Sequence, residues 1–173
     1  MQIRPTSDRL RETLFNVLAA RVADARFLDL CAGSGAIGIE ALSRGASFVT
    51  FVDRSRKMCG LVESNLDLCG VPEELTEVVL SEASEYLRRT SAGGEDWRGG
   101  AAWDIAFFDP PYALDYMPVL EAFGTRTGAL LREGGILVVE HHHKNNLKDA
   151  IGQIRRWRIL KQGDSALSFY ETA

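Results

Sequence analysis

A chain of 173 residues with 46% hydrophobic and 25% charged residues has the makeup of one soluble globular domain with a substantial core. A net charge of −4 excludes a globally basic nucleic-acid binder, so any polyanion partner would have to be met by a local basic patch. No apolar run approaches the ~20 residues a membrane-spanning helix needs, and Met1-Gln2-Ile3-Arg4 is not a signal peptide. Cys31, Cys59 and Cys69 form no C-x-x-C pair, which fits free thiols in a reducing, cytoplasmic setting and supplies no metal framework.

The N-terminal helix region, residues 1–22, contains RPTSDRLRETLFNVL. Thr6 or Ser7 is expected to cap a helix, with Asp8 in its favourable first turn and Leu10, Leu14, Val17 and Leu18 on one face. Arg4, Arg9 and Arg11 cluster at its start, where the helix dipole opposes positive charge. An anionic partner or plain solvation explains them equally well on charge alone. Arg4, Thr6 and Arg9 are candidate substrate contacts.

The stretch FLDLCAGSGAIGIEALSRG, from Phe27 to Gly45, reads as a strand, a tight glycine turn and a helix start, the first unit of a doubly wound α/β sheet. Gly33, Gly35 and Gly38 fit G-x-G-x-x-G, a pattern shared by dinucleotide sites and S-adenosylmethionine (SAM) sites and also open to a purely structural turn. Asp29 precedes the first glycine by four residues. A carboxylate there can meet a ligand ammonium group but would repel pyrophosphate. Phe48–Val52 is a second buried strand ending at Asp53, placed to accept hydrogen bonds from ribose hydroxyls. Ser55 is expected to cap a helix through Leu68. Leu75–Leu80 is a third strand, followed by Ser81, Glu82 and Ala83, which are placed to close over an adenine; Glu82 also reads as an ordinary first-turn helix acid. Asp29, Gly33, Gly35, Asp53, Glu82 and Ala83 are therefore candidate cofactor contacts.

Residues 91–102 (SAGGEDWRGGAA) read as a flexible surface loop, too short to divide the single domain 1–173. Trp103–Phe108 is a fourth strand that runs into Asp109-Pro110-Pro111-Tyr112, the expected catalytic segment. Two prolines hold a rigid extended turn at the carboxyl end of the sheet, where ligands of open α/β folds sit. The chemistry inferred is methylation of an exocyclic amine on a nucleobase. Asp109 and the Pro110 carbonyl can each accept an amine N–H, biasing the nitrogen towards tetrahedral geometry, and Tyr112 offers a ring face to the base.

A helical region is expected from Met117 to Leu131 and a fifth strand from Gly134 to His141. His141, His142 and His143 are not expected to form a metal site, because strand residues alternate faces and no further ligand cluster is evident. From Lys144 to Lys161 six basic residues face only Asp149. This is either a phosphate-contact patch, with Arg155 and Arg156 as candidate substrate contacts, or a solvated helix face. Trp157–Lys161 and Leu167–Tyr170, joined at Gly163-Asp164, read as a terminal antiparallel hairpin.

RPTSDRLRETLFN, LDLCAGSGAIGIEALSRGA and FFDPPY, in this order, resemble the RsmD family of bacterial 16S rRNA (guanine-N2)-methyltransferases over nearly the whole chain. The resemblance implies an α/β class I SAM-dependent methyltransferase (Rossmann-like) fold, with a mostly parallel seven-stranded sheet and a C-terminal antiparallel hairpin. It also implies SAM as methyl donor, with the SAM loop on Asp29, Ala32, Gly33, Ser34 and Gly35, the ribose acid on Asp53 and the target-amine tetrapeptide on Asp109 to Tyr112. It further implies the small ribosomal subunit as partner, with the guanine conventionally numbered 966 of 16S rRNA as target. No membrane and no obligate protein partner are expected. Members usually carry a basic stretch ahead of RPTSDR, whereas this sequence begins almost at that motif. Either a preceding segment is cut off or part of the RNA contact surface is lacking. Two alternatives stay open: adenine-N6 methylation of DNA, which shares D-P-P-Y but usually brings a target-recognition domain, and a nicotinamide oxidoreductase, which leaves D-P-P-Y unexplained. Methylation at ring carbon C5 is disfavoured, since the usual Pro-Cys pair is absent.

Overall fold

A computed structural model describes residues 5–93, 102–125 and 130–172, with side chains from Asp8 to Thr90 in the first of these segments. Eight strands form one sheet in the order β3-β2-β1-β4-β5-β8-β7-β6. These are β1 (Arg26–Leu30), β2 (Phe48–Asp53), β3 (Thr76–Leu80), β4 (Trp103–Phe108), β5 (Leu131–His142), β6 (Ala150–Ile151), β7 (Ile154–Gln162) and β8 (Ser165–Thr172). The first five pair in parallel and the last three antiparallel. The expected seven long strands and terminal hairpin are present; the eighth, β6, is a two-residue edge strand with no alternation long enough to read in advance.

Helices cover both faces. α1 (Pro5–Leu18), α2 (Ala36–Ser43) and α3 (Arg56–Leu68) lie on one side, and α4 (Ala83–Gly93) and α5 (Met117–Gly124) on the other. Alternation along each strand feeds two cores. Phe27, Val49, Phe51, Ile105, Phe107 and Val138 pack under α1–α3, whereas Leu28, Leu30, Val52, Phe108, Leu137 and Val139 pack under α4 and α5. The strand order reverses between β1 and β4, and this switch point opens a crevice at their carboxyl ends.

Local chemistry explains most boundaries. α1 begins on Pro5, whose fixed φ and missing N–H suit a first helical turn. Thr6 and Ser7 therefore lie inside the helix rather than capping it, and their side chains fall outside the described residues, as does Arg4. Ser55 caps α3 as expected, accepting the Met58 N–H at 3.2 Å. Leu75 ends a short 3-10 turn, so β3 starts at Thr76. Ser91, Ala92 and Gly93 prolong α4 instead of opening a loop, and the rest of the expected loop up to Ala101 lies outside the described residues. The helix expected to reach Leu131 stops at Gly124. An added Cβ there would sit 2.3 Å from the Ile151 carbonyl oxygen, so the close packing of α5 on β6 demands glycine. Leu131 already belongs to β5, which begins earlier than its apolar run.

Gly38 fixes how closely α2 approaches the sheet. A Cβ at this position would fall 2.3 Å from Phe51 Cε2 and 2.9 Å from Val49 Cγ1. Both neighbours are fully buried and have no room to retreat. Gly38→Ala is therefore expected to destabilise the fold by about 1–3 kcal/mol, the usual cost of overpacking a filled core. Denaturant unfolding compared with Gly60→Ala, at an exposed helical glycine where an added Cβ would meet nothing within 4 Å, checks this; equal stability in Gly38→Ala and wild type would refute the close packing.

Candidate active site

The glycine turn is held from two sides, by the end of β2 and by α3. Its backbone alternates through the left-handed region at Cys31 (φ 61°), Gly33 (φ 57°) and Gly35 (φ 84°), which bends the chain out of β1 and into α2 within five residues. The Asp53 carboxylate accepts the Gly33 N–H at 2.9 Å through one oxygen and the Ser55 N–H at 2.9 Å through the other. Asn65 of α3 donates its side-chain amide to the Ser34 carbonyl at 2.9 Å. Asp53 thus joins the turn to the end of β2 and also faces the crevice.

Asp29 has a different place from the one expected. It is buried beneath the turn, where it accepts the Gly38 N–H at 3.0 Å, and it does not line the clefts described below. Burial is the main reason its carboxyl group is held well above the ordinary range, with the Gly38 N–H acting in the opposite sense and Asp109 and Asp53 adding to the rise. Its visible contact positions the start of α2.

Two clefts open along the carboxyl ends of the strands. The first, of about 240 Å³, runs from Asp53 and Arg54 past Ser81, Glu82, Ala83 and Ser84 to Pro111, Leu114, Pro118 and Val119. It has a carboxylate at one end and an apolar wall at the other, which suits a ribose joined to a flat purine. The second, of about 330 Å³, lies between Leu10, Arg11 and Leu14 of α1, the turn residues Ala32–Ser34, and Asp109 and Glu140. Cys31 lines both and marks their junction. Burial, together with Asp53, Asp109 and Asp29, pushes its thiol up to about 12, so it is not a nucleophile at neutral pH. The Asp53 and Asp109 carboxylates, one lining each cleft, favour a positive charge near that junction.

The Asp109–Tyr112 segment leaves β4 directly into this junction. The Asp109 N–H reaches the Leu30 carbonyl at 3.4 Å, and the Leu114 N–H returns to the Pro111 carbonyl at 3.0 Å, closing a turn. Pro110 is buried and Pro111 lines the first cleft. Tyr112 is 54% exposed at the rim, where its ring meets the edge of His142 at 5.6 Å and its hydroxyl lies 3.3 Å from Ser165 Oγ. The segment is thereby anchored to the β5 and β8 ends.

The histidine run divides. His141 is buried, with Nε2 2.8 Å from Ser168 Oγ and Nδ1 2.9 Å from the His142 carbonyl, and burial holds its pKa below the usual value. His142 and His143 stack at 4.7 Å. Contrary to the sequence expectation, a third donor does lie nearby: Asp164 brings the group within 4.8 Å. His142 Nδ1 already accepts the Lys144 N–H at 3.1 Å, and the rings serve as packing behind Tyr112.

The basic stretch is strand and loop rather than a helix face, and register redistributes it. Arg155 pairs with Glu171, which pairs with Ile136, so Arg155 lies several residues below the cleft end of the sheet, while Arg156 pairs with Tyr170 in the middle of the ladder. Arg156 is committed to Asp149 at 2.6 Å and to Ser168 at 3.1 Å. Lys161 pairs with Ala166, which pairs with His141, and it therefore lies at the cleft end together with Lys144. Arg9 is exposed on α1, while Arg11 lines the second cleft with Asp8 at 3.6 Å and Glu40 at 3.9 Å. Sequence reading missed Glu140, Asn65 and the Leu114–Val119 wall. Glu140 alone had a visible signal: an acid closing an apolar strand, as Asp53 and Asp109 close theirs.

A switch-point crevice lined by the acid that ends β2, with a D-P-P-Y segment after β4 and an antiparallel end to the sheet, defines a class I SAM-dependent methyltransferase fold. The chain belongs to the family described as Conserved hypothetical protein 95, which matches residues 1–171, and this is the RsmD family expected from the sequence. "Putative rRNA methyltransferase YlbH" of Bacillus subtilis is 32% identical over 97% of this chain and 87% of its own length. "Ribosomal RNA small subunit methyltransferase D" of Escherichia coli is 40% identical over 64% of this chain, and the match spans 50% of that protein. Among solved structures, "Putative methyltransferase yhhF from Escherichia coli" superposes with a TM-score of 0.81 at 30% identity, covering 95% of this chain and 85% of that one. Among the described residues no helix is long and apolar enough to cross a membrane.

Proposed function

We propose that this protein transfers a methyl group from SAM to the exocyclic N2 amine of a guanine in small-subunit rRNA. The observation that carries this reading is the meeting of the two clefts at Cys31, with Asp53 lining the first and Asp109 the second. A donor carrying a positive sulfonium is favoured at that point, whereas the pyrophosphate of a nicotinamide dinucleotide would be repelled. The names of the family relatives support rRNA as the substrate class.

The residues present fit the donor. Asp53 would hold the ribose, the wall from Ala83 to Val119 the adenine, and the turn at Ala32–Ser34 the amino-acid end. The donor supplies an electrophilic methyl group and a neutral thioether as leaving group. The chain's own part is alignment. Asp109 and the Pro110 carbonyl accept the two amine hydrogens and turn the nitrogen lone pair towards the cofactor cleft. As the N–C bond forms, positive charge grows on that nitrogen beside the Asp109 carboxylate, and one amine proton then departs to the carboxylate or to solvent.

Tyr112 provides the stacking face at the rim. Tyr112→Ala is expected to raise KM for the RNA substrate about 5- to 100-fold, matching ~1–3 kcal/mol of base stacking, with SAM affinity unchanged. Tyr112→Phe should behave like wild type, because the ring rather than the hydroxyl contacts the base. Steady-state kinetics decide it; an equal loss in both variants would assign the effect to the Ser165 contact.

A net charge of −4 gives the protein little general attraction for naked nucleic acid. A guanine presented in an unpaired loop of an assembled or assembling subunit lowers that demand. Tritium transfer from labelled SAM to unmodified small subunits, free 16S rRNA and duplex DNA, with nucleoside analysis, tests the proposal. Label should appear as N2-methylguanine, best on subunits, and fall steeply with salt. Label on adenine N6 of DNA would overturn it.

A further inference from the structure

Glu140 is a carboxylate in the second cleft that the mechanism above does not use. Pairing of Phe108 with Val139 in the parallel β4–β5 ladder sets Glu140 beside Asp109, one step further along both strands. Their alternation also agrees: Phe107 and Val138 belong to the core under α1–α3, so Asp109 and Glu140, two residues further on, face that same side. Both half-buried side chains line the cleft opposite Leu10, Arg11 and Leu14. Two acceptor-only groups thus stand side by side on strands about 4.8 Å apart, at the point where the amine is held.

Among the amine-bearing bases, guanine alone places a second donor, N1–H, next to its reacting amine. Adenine and cytosine place a ring-nitrogen lone pair there. An ionised carboxylate accepts the first and repels the second. Resting on the guanine-N2 reading, we propose that Glu140 accepts the N1–H of the target base and thereby restricts the site to guanine. A site that turns an acceptor towards a substrate N–H rejects an analogue with a lone pair at that position, because two acceptors then face each other.

2-Aminopurine tests this directly, since it keeps the N2 amine but has a lone pair at N1. Small subunits would be reconstituted with rRNA carrying guanine or 2-aminopurine at the methylated position, and kcat/KM measured for wild type, Glu140→Gln and Glu140→Ala. Wild type should prefer guanine by about 100-fold or more. Glu140→Gln can accept from N1–H or donate to an N1 lone pair, and should narrow the preference to about tenfold or less. Glu140→Ala should lose more activity on guanine than on 2-aminopurine. Calorimetric SAM affinity should stay within about threefold in both variants, which also reports that they fold. An unchanged preference, or a loss that follows weakened SAM binding, would overturn the assignment and make Glu140 a cofactor contact. Wild type that methylates no guanine at all would instead overturn the reading on which it rests.

Discussion

Asp109→Ala is expected to bind SAM within a few-fold of wild type and to transfer methyl about 100- to 1000-fold more slowly, the usual loss when one group aimed at developing charge is removed. The reason lies in position. Asp109 lines the second cleft and not the first, so the adenosine end of the donor does not depend on it. Its backbone tie to Leu30 persists in the alanine variant, and the turn through Leu114 is made by main chain. What disappears is the acceptor beside the amine. Asp109→Asn keeps one acceptor oxygen but no charge, and should fall between the two. Single-turnover rates at saturating SAM separate these cases. Wild-type rates in Asp109→Ala would remove the amine from this position.

Asp53→Ala should show the opposite pattern. It removes the carboxylate at the polar end of the first cleft together with its bonds to the Gly33 and Ser55 N–H groups. Charge-assisted hydrogen bonds of about 1.5–3 kcal/mol correspond to at least a tenfold loss of SAM affinity. Because the turn is also tied by Asn65 to Ser34, the fold should survive with a modest loss of stability. At saturating SAM the rate of methyl transfer should recover most of its wild-type value, as Asp53 does not touch the amine. Calorimetry and thermal unfolding read the two effects separately. Unchanged affinity would take Asp53 out of the cofactor site.

The parts of this site that could be read in the sequence are those written by short-range chemistry. Glycines at left-handed positions, an acid at the end of an apolar strand and a Pro-Pro turn each announce themselves within a few residues. Ser55 as a cap and the hairpin at Gly163-Asp164 belong to the same class. What escaped depends on partners far away in the chain. Glu140 becomes significant only because the β4–β5 register sets it beside Asp109. Arg155 and Arg156 could be read as a phosphate patch or a solvated face, and only the fold shows that they lie on a strand, with Arg156 tied to Asp149 and Ser168. Ile151 approaches Gly124 closely at the end of α5, a contact no local pattern encodes. Asp29 showed its charge in the sequence, but only burial under α2 turned it towards Gly38.

A crystal structure with S-adenosylhomocysteine would test the central claim most directly. The account predicts density for the adenosine between Asp53, Ala83 and Pro118, with the sulfur at Cys31, on the path to Asp109 and Glu140. Density confined to any other part of the surface, or an adenosine lying in the Arg11–Glu140 cleft with the sulfur turned away from Asp109, would contradict it.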